Sequence, residues 1–121
     1  MPWFRIEDAF HSHPKVKQAG NAATGLWVRC GTWSAAYLTD GFIPDQTVRE
    51  FGNRREIDAL LASRLWLPGD NGVVMPDYLD YNPSAEQVRL QRKRDTERKR
   101  RAAQSTDRDP ISGQFTHDPF R

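Results

Sequence analysis

The run TDGFIPDQTVREFGNRREIDALLASRL, residues 39–65, decides the fold that this sequence predicts. It opens with a turn at Thr39 to Gly41, and the apolar pair Phe42-Ile43 then leaves room for a strand of two or three residues. Asp45 is a good N-cap for a helix that runs to Phe51 and stops at Gly52. The first half of the run therefore predicts a turn, a short strand and a short helix.

The second half of the run predicts another helix directly after Gly52. Asn53 with Glu56 three residues later is close to a capping box, with Asn in place of Ser or Thr, and indicates a helix start at Arg54. This helix is expected to reach about Leu65, because apolar side chains recur on one face. They are Ile57, Leu60, Leu61 and Leu65. Two short helices separated by a glycine-containing turn form the outline of a helix-turn-helix.

Two helices are predicted upstream of this run. Pro14 and Gly20 frame a short helix, Lys15 to Ala19. Asn21 is the expected cap of a longer helix, Ala22 to Leu38, which carries one charged residue, Arg29. Its expected core stripe is Leu26, Cys30, Trp33 and Tyr37. A helix with so little charge is usually central and covered on most sides.

Downstream, two apolar runs flank the segment Pro68 to Gly72 and predict a β-hairpin with a five-residue loop. Residues 76–82 then lead out of the domain, with Tyr78, Leu79 and Tyr81 expected to pack back on it. Helix, strand, helix-Gly-helix and hairpin is the element order of a winged helix. The predicted fold class is accordingly mainly α with a small β-hairpin (α+β), in the form of a winged helix-turn-helix.

The charge divides the chain into two parts. Residues 1–83 carry eight Lys/Arg against ten Asp/Glu, whereas residues 84–121 carry ten against six. Within residues 89–101, called the basic segment, the count is eight against two. With a mean hydropathy of −0.79, this division predicts a folded domain over 1–83 and a basic C-terminal arm over 84–121.

The arm is expected to begin as a helix and to end in disorder. Ser84 and Gln87 after Pro83 form a capping box. The basic segment has helix-forming residues but no core face, so a helix there is marginal by itself. Residues 104–121, with two Asp-Pro pairs, are predicted to be disordered.

The sequence argues against several classes of protein. No signal sequence or membrane span is predicted, and a single cysteine excludes an internal disulfide and fits a reducing compartment. The expected location is the cytoplasm. The sequence contains no glycine-rich phosphate loop, no nucleophile elbow and no Cys/His pair of a recognisable kind. Neither an enzyme nor a cofactor is therefore expected. His11, His13 and Cys30 are conceivable metal ligands, but their spacing is not that of a metal site, so no metal is expected.

Several stretches resemble one protein family. They are Phe10-His11-Ser12-His13-Pro14-Lys15-Val16, Gly25-Leu26-Trp27, Trp33, Leu38-Thr39-Asp40-Gly41-Phe42-Ile43-Pro44 and Leu79-Asp80-Tyr81-Asn82-Pro83-Ser84. Over roughly residues 3–90 the chain resembles the N-terminal winged-helix region of replication-initiation (replisome-organiser-like) proteins of actinobacterial phages and prophages. The resemblance implies a winged-helix fold, DNA binding and a phage origin, hence a place in the host cytoplasm beside the nucleoid.

The candidate nucleic-acid-binding residues fall into two groups. The helix from Arg54 would present Arg54, Arg55 and Arg64, since arginine suits guanine edges and phosphates. The basic segment contributes Arg89, Arg92, Lys93, Arg94, Arg98, Lys99, Arg100 and Arg101. The hairpin loop, with Asp70 and Asn71 but no Lys or Arg, is not expected to grip phosphate. The alternative interpretation is that these cations are ordinary solvated charges and a solubilising tail.

Two functional hypotheses are consistent with the sequence. The first is a DNA-binding winged helix whose basic arm adds non-specific affinity for duplex DNA and provides most of its salt dependence. The second is a protein-interaction module that binds a host replication, transcription or division protein, with the arm aimed at an acidic surface. A role in replication initiation or in regulation fits the first hypothesis.

Overall fold

The structure, a computed structural model, describes residues 3–106. It is mainly helical with a small three-stranded antiparallel sheet, which confirms the predicted α+β class. Residues 3–88 form one compact unit, called the body, and residues 89–106 belong to a second unit. The predicted disorder of residues 107–121 lies outside the described residues.

Helices account for most of residues 3–106, and three short strands lie between them. In chain order the elements are a 3-10 helix (Asp8–Ser12), α1 (Pro14–Ala19), α2 (Asn21–Tyr37), β1 (Phe42–Pro44), α3 (Asp45–Phe51), α4 (Arg54–Ala62), β2 (Leu67–Gly69), β3 (Gly72–Val74), α5 (Tyr78–Tyr81) and α6 (Ala85–Thr106). Within the described part of the chain, no helix combines the length and the apolar composition that crossing a membrane requires.

The first two helices meet at Gly20. Pro14 opens α1 as predicted, and Gly20 ends it with φ at 87°, a left-handed conformation that suits glycine. The same Gly20 is the N-cap of α2, so Asn21 is the first residue of that helix. The prediction of Asn21 as the cap was wrong by one residue, because one glycine serves both helix ends.

The buried face of α2 differs from the predicted stripe. Leu26, Cys30 and Ser34 are buried, whereas Tyr37 is 67% exposed. Successive steps of four residues keep the buried line on the side that faces the rest of the body. Trp33 is half-buried and its ring packs at a tilt against that of Tyr37, with 5.0 Å between ring centroids. The end of α2 therefore presents aromatic side chains to solvent.

A small hydrogen-bond network shapes the turn between α2 and β1. The Thr39 hydroxyl donates to the Phe42 carbonyl over 2.6 Å, so the Ser34 hydroxyl must be the donor in its own 2.6 Å bond to Thr39. The Ser34 oxygen also accepts the Gly41 N–H over 2.8 Å. Because Ser34 is buried, this network fixes where β1 begins.

The two short helices after β1 follow the prediction closely at their adjoining ends. The capping box is present: the Glu56 N–H donates to the Asn53 side chain over 2.9 Å, and the Asn53 N–H donates to the Glu56 carboxylate over 3.0 Å. Asp45 is the first residue of α3 and Pro44 is its N-cap, so the predicted cap was again one residue late.

The predicted end of α4 was wrong. The helix ends at Ala62 rather than at Leu65, and Arg64 adopts a left-handed conformation with φ at 66°. The chain turns back there because Trp66 enters the core: its side chain is completely buried. The backbone N–H of Trp66 donates to the Leu60 carbonyl over 3.1 Å. Burial of a large aromatic side chain outweighs the cost of the strained arginine backbone.

The sheet has the strand order β1-β3-β2, and both pairings are antiparallel. Gly69 pairs with Gly72, so the hairpin loop is the two residues Asp70 and Asn71 rather than the predicted five. Pro68 is tolerated inside β2 because this is an edge strand. A Cβ at Gly72 would collide with the Ile43 carbonyl oxygen, which explains a glycine in the central strand.

The exit from the sheet contains one helical turn. Residues Tyr78–Tyr81 form α5, and Tyr78 is buried. Leu79 and Tyr81 were predicted to pack on the body, but they are 55% and 47% exposed. A single helical turn can direct one side chain inward, and the other positions then face solvent.

The start of α6 belongs to the body. Ala85 and Val88 are buried, and the Ala85 N–H donates to the Asp40 carboxylate over 2.7 Å. The compact unit thus extends five residues beyond the predicted boundary at residue 83. The capping box of Ser84 and Gln87 is confirmed. The helix then continues through residues 104–106, which were predicted to be disordered.

Candidate nucleic-acid interface

The start of α4 presents two exposed arginines, Arg54 and Arg55, as the sequence predicted. The capping box already uses the N–H groups of Asn53 and Glu56. A phosphate at this helix terminus would therefore be held chiefly by the arginine side chains. Their position in the first turn is the one from which recognition helices contact base edges.

An acidic neighbour accompanies the first of these arginines. Arg54 forms an ion pair with Asp58 one turn later, with 3.5 Å between Nε and the carboxylate oxygen. The two side chains are 89% and 59% exposed, and ion pairs between exposed groups contribute little. The pair therefore leaves Arg54 able to exchange Asp58 for a phosphate.

Arg64 does not belong with these two arginines. It lies beyond the C-terminus of α4, in the left-handed turn, with its side chain exposed. Ten residues separate it from Arg54, which along a helix is about 15 Å. The structure therefore places Arg64 at the opposite end of α4, and the prediction that it shares a helix with Arg54 and Arg55 was wrong.

A cation that the sequence analysis did not assign to the site lies beside the turn between α3 and α4. The Arg29 guanidinium on α2 lies 4.5 Å from the centroid of the Phe51 ring and donates to the Phe51 carbonyl over 3.5 Å. Phe51 is the last residue of α3, so Arg29 stands close to the turn that precedes Arg54. Arg29 is far from Arg54 in sequence and lies on a different helix, so no sequence pattern indicated that the two are close to the same turn.

The hairpin turn is held against the start of α3. The Asp45 N–H donates to the Asn71 carbonyl over 2.9 Å, and Asn71 has a left-handed backbone with φ at 59°. The exposed tip carries Asp70 and no cation. An acidic and anchored tip is unsuited to a phosphate backbone.

The basic segment forms part of α6, and all eight of its cations are exposed. They are Arg89, Arg92, Lys93, Arg94, Arg98, Lys99, Arg100 and Arg101. Asp95 accepts hydrogen bonds from Gln91, over 3.1 Å, and from Arg98, with which it forms an ion pair. Both pairs are spaced for a helix and support it. The segment therefore presents its charge on an ordered helix.

The three conceivable metal ligands do not come together. His13 caps α1, accepting the Lys15 N–H over 3.1 Å, and His11 bonds to the Asp8 carbonyl. Cys30 is buried in the core. Across residues 3–106, no group of three or more His, Cys, Asp or Glu side chains is arranged to hold a metal ion.

The burial of Cys30 gives a testable pH dependence. Burial raises the pKa of its thiol from 9.0 to about 12, although the nearby Arg29 acts in the opposite direction. The folded protein thus holds this proton more tightly than the unfolded chain. Its stability is unaffected below about pH 9 and falls as the pH rises from about 9 to about 12. At pH 10 we expect a loss of about 1 kcal/mol that Cys30→Ala does not show.

Urea unfolding of both proteins between pH 7 and pH 11 measures this difference. The variant is the control for the tyrosines and lysines that titrate in the same range. Parallel pH profiles, or rapid reaction of the folded protein with a thiol reagent at pH 8, would mean that Cys30 is accessible to water.

The N-terminal segment packs on the body through aromatic rings. Phe4 and Phe10 both pack against Trp27, with ring centroids 5.1 Å and 4.6 Å away. The Arg5 N–H donates to the Asn82 side chain over 2.7 Å. Beside these rings is a cavity of about 120 Å³, to which Tyr78 and Tyr81 also contribute. The segment links α2 to α5 and has no cluster of cations.

Comparison with known proteins does not assign the chain to a family. No protein-family profile matches it, and no solved structure is significantly similar. The chain is similar to the acetyl-coenzyme A carboxylase carboxyl transferase subunit beta of Pelobacter propionicus, at 28% identity over 91 aligned residues. The alignment covers 69% of this chain, which spans about a third (32%) of the length of that relative. Such a partial likeness is too distant to indicate an enzymatic activity.

Proposed function

We propose that this protein binds duplex DNA, with the body as a winged helix and the basic segment as the main source of affinity. The observation that carries the proposal is the charge of that segment. Within residues 89–101, eight exposed cations lie on one helix, against two acidic residues. Neutralising phosphates with such a helix releases condensed counterions from the duplex, which favours binding without regard to sequence.

The order of elements in the body supports the winged-helix part of the proposal. Helix α2 is followed by β1, by the helix pair α3 and α4, and by the hairpin β2–β3. In this arrangement α4 is the second helix of a helix-turn-helix, the one that enters the major groove. The hairpin occupies the position of a wing, but its acidic tip leaves base reading to α4.

The body and the basic segment would then have different tasks. The body has a small negative net charge in the sequence, and a protein surface without a basic patch gains little from the phosphate backbone. Arg54 and Arg55 would select sequence, while the basic segment would hold the protein on any duplex. A phage role in replication initiation or regulation is the context that the sequence resemblance suggests for this division.

A binding comparison tests the role assigned to α4. On a duplex selected for tight binding, Arg54→Ala or Arg55→Ala should cost about 1–3 kcal/mol and weaken the preference over random duplex. Lys17→Ala is the matched control, because Lys17 is an exposed cation at the end of α1. Fluorescence anisotropy at one fixed salt concentration measures all three variants.

Two results would argue against base reading by α4. Equal losses on selected and random duplex would make Arg54 and Arg55 phosphate contacts. No greater loss than Lys17→Ala would remove them from the DNA interface.

One structural observation favours the second hypothesis, a module that binds a protein partner. The outer side of α2 exposes Tyr37 next to Trp33, and Arg29 lies over Phe51 nearby. Aromatic and arginine side chains are enriched at the centres of protein interfaces. Failure of the whole chain to bind any duplex at moderate salt would favour this function over DNA binding.

A further inference from the structure

We infer that the basic segment contacts duplex DNA with one particular face of α6, and that this face enters the major groove. The inference rests on the proposed function, and it adds which cations bind and where. It follows from the distribution of the charges around the helix. With 3.6 residues per turn, five of the eight cations fall within about a third of the circumference. They are Arg89, Arg92, Lys93, Lys99 and Arg100.

This face, called the cationic face, contains no acidic side chain among residues 89–104. Asp95 and Glu97 lie on either side of it, just beyond its two edges. The other three cations, Arg94, Arg98 and Arg101, lie on the opposite side of the helix. There they line a shallow depression together with Gln91 and Glu97, and Arg98 pairs with Asp95. Asp95 is bonded to Gln91 and Arg98, and Glu97 lines the depression, so the contacts of both acidic side chains lie with the opposite face. These contacts lower the attraction of the opposite face for phosphate more than that of the cationic face.

The cationic face has two edges with a small residue between them. Arg92 and Lys99, seven residues apart, form one edge, while Arg89, Lys93 and Arg100 form the other. Thr96 lies between the edges, and its hydroxyl is bonded to the Arg92 carbonyl over 2.9 Å. A helix in a groove meets phosphates on both flanks and base edges along its centre line. Long cations at the edges and a short side chain in the middle suit that position.

The dimensions of the major groove agree with this arrangement. The groove of B-form DNA is about 12 Å wide, and a helix with its side chains is about 10–12 Å across. From Arg89 to Arg100 the face extends about 16 Å along the helix. The major groove of A-form RNA is deep and narrow and does not admit such a helix. The preferred ligand is therefore duplex DNA rather than duplex RNA.

Two triple variants of the whole chain test the choice of face. Arg89→Gln, Arg92→Gln and Arg100→Gln change the cationic face, whereas Arg94→Gln, Arg98→Gln and Arg101→Gln change the opposite face. Both remove three arginines and the same net charge, and glutamine preserves helix propensity. Circular dichroism verifies the helix in each variant, and anisotropy with a random duplex at several salt concentrations measures binding.

We expect the cationic-face variant to bring the negative slope of log affinity against log salt closer to zero by about 2.7, which is about 0.9 for each lost contact. The opposite-face variant should change the slope by less than about 1. Equal losses in the two variants would overturn the inference while leaving DNA binding intact. Absence of binding by the unchanged protein would overturn both the inference and the proposed function.

A modified duplex tests the groove. Substituents on C5 of pyrimidines project into the major groove, so a duplex whose cytosines carry a glucosylated hydroxymethyl group at C5 has this groove filled. We expect the unchanged protein to bind it at least tenfold more weakly than the unmodified duplex. To separate α6 from α4, the comparison is repeated with Arg54→Ala/Arg55→Ala, which should retain most of the difference. Equal affinity for both duplexes, or for duplex RNA, would mean that the face lies along the backbone outside the groove.

Discussion

Ending the chain at Val88 should abolish most duplex binding while leaving the body folded. The truncated chain keeps the buried Ala85 and Val88 and the hydrogen bond from Ala85 to Asp40. It loses all eight cations of the basic segment. If the segment makes four to six phosphate contacts, affinity at about 0.1 M salt should fall by at least about a thousandfold.

A chain that ends at Asn82 should be compared with the chain that ends at Val88. It also lacks the cations, but it removes Ala85 and Val88 from the core and leaves the Asp40 carboxylate without the Ala85 N–H. We expect this shorter chain to melt at a lower temperature than the chain ending at Val88. Should the chain ending at Val88 retain full affinity, the body would carry DNA binding and the basic segment would serve another purpose.

The second large effect is expected in the core. Leu60 is completely buried on α4 and packs in the core that Trp66 and Ile43 share. Leu60→Ala should therefore lower the free energy of unfolding by about 2–5 kcal/mol through lost burial and the cavity left behind. Urea unfolding followed by tryptophan fluorescence measures the change, with four tryptophans available as reporters.

Leu79→Ala is the matched control for this measurement. Leu79 is 55% exposed on α5, so its truncation should cost about 0.5 kcal/mol or less. Similar costs at both leucines would mean that α4 does not pack on the core as the structure has it.

Local signals in the sequence were sufficient for much of the fold. The capping box of Asn53 and Glu56, the proline and glycine that frame α1, and the glycine between α3 and α4 each act within a few residues. Their effect on the backbone depends little on the rest of the chain. The body was therefore predictable in the type and order of most of its elements.

The errors arose where distant parts of the chain decide the local structure. Nothing near Arg64 indicates a left-handed turn, which follows from the burial of Trp66 in the core. The exposure of Tyr37 depends on which side of α2 the other elements cover. The attachment of Ala85 to the body depends on Asp40, whose carboxylate accepts the Ala85 N–H from 45 residues away in sequence. Each of these is a tertiary effect that overrides a local pattern.

In the candidate site, too, the residues placed by local signals were predictable and those placed by tertiary packing were not. Arg54 and Arg55 were identifiable because the helix start is locally encoded. Arg29 was not, since its place beside Phe51 depends on the packing of α2 against α3. For the basic segment, the charge was evident in the sequence, but its two unequal faces matter only because α6 continues as an ordered helix to Thr106.

The salt dependence of duplex binding by the whole chain shows whether the protein holds DNA through phosphate contacts. Anisotropy with a labelled duplex of random sequence, recorded from about 50 mM to 300 mM salt, gives log affinity against log salt concentration. Four to six phosphate contacts predict a straight line with a slope of about −4 to −5. A slope near zero, or no binding at the lowest salt concentration, would mean that the basic segment does not bind DNA and would favour a protein partner for it.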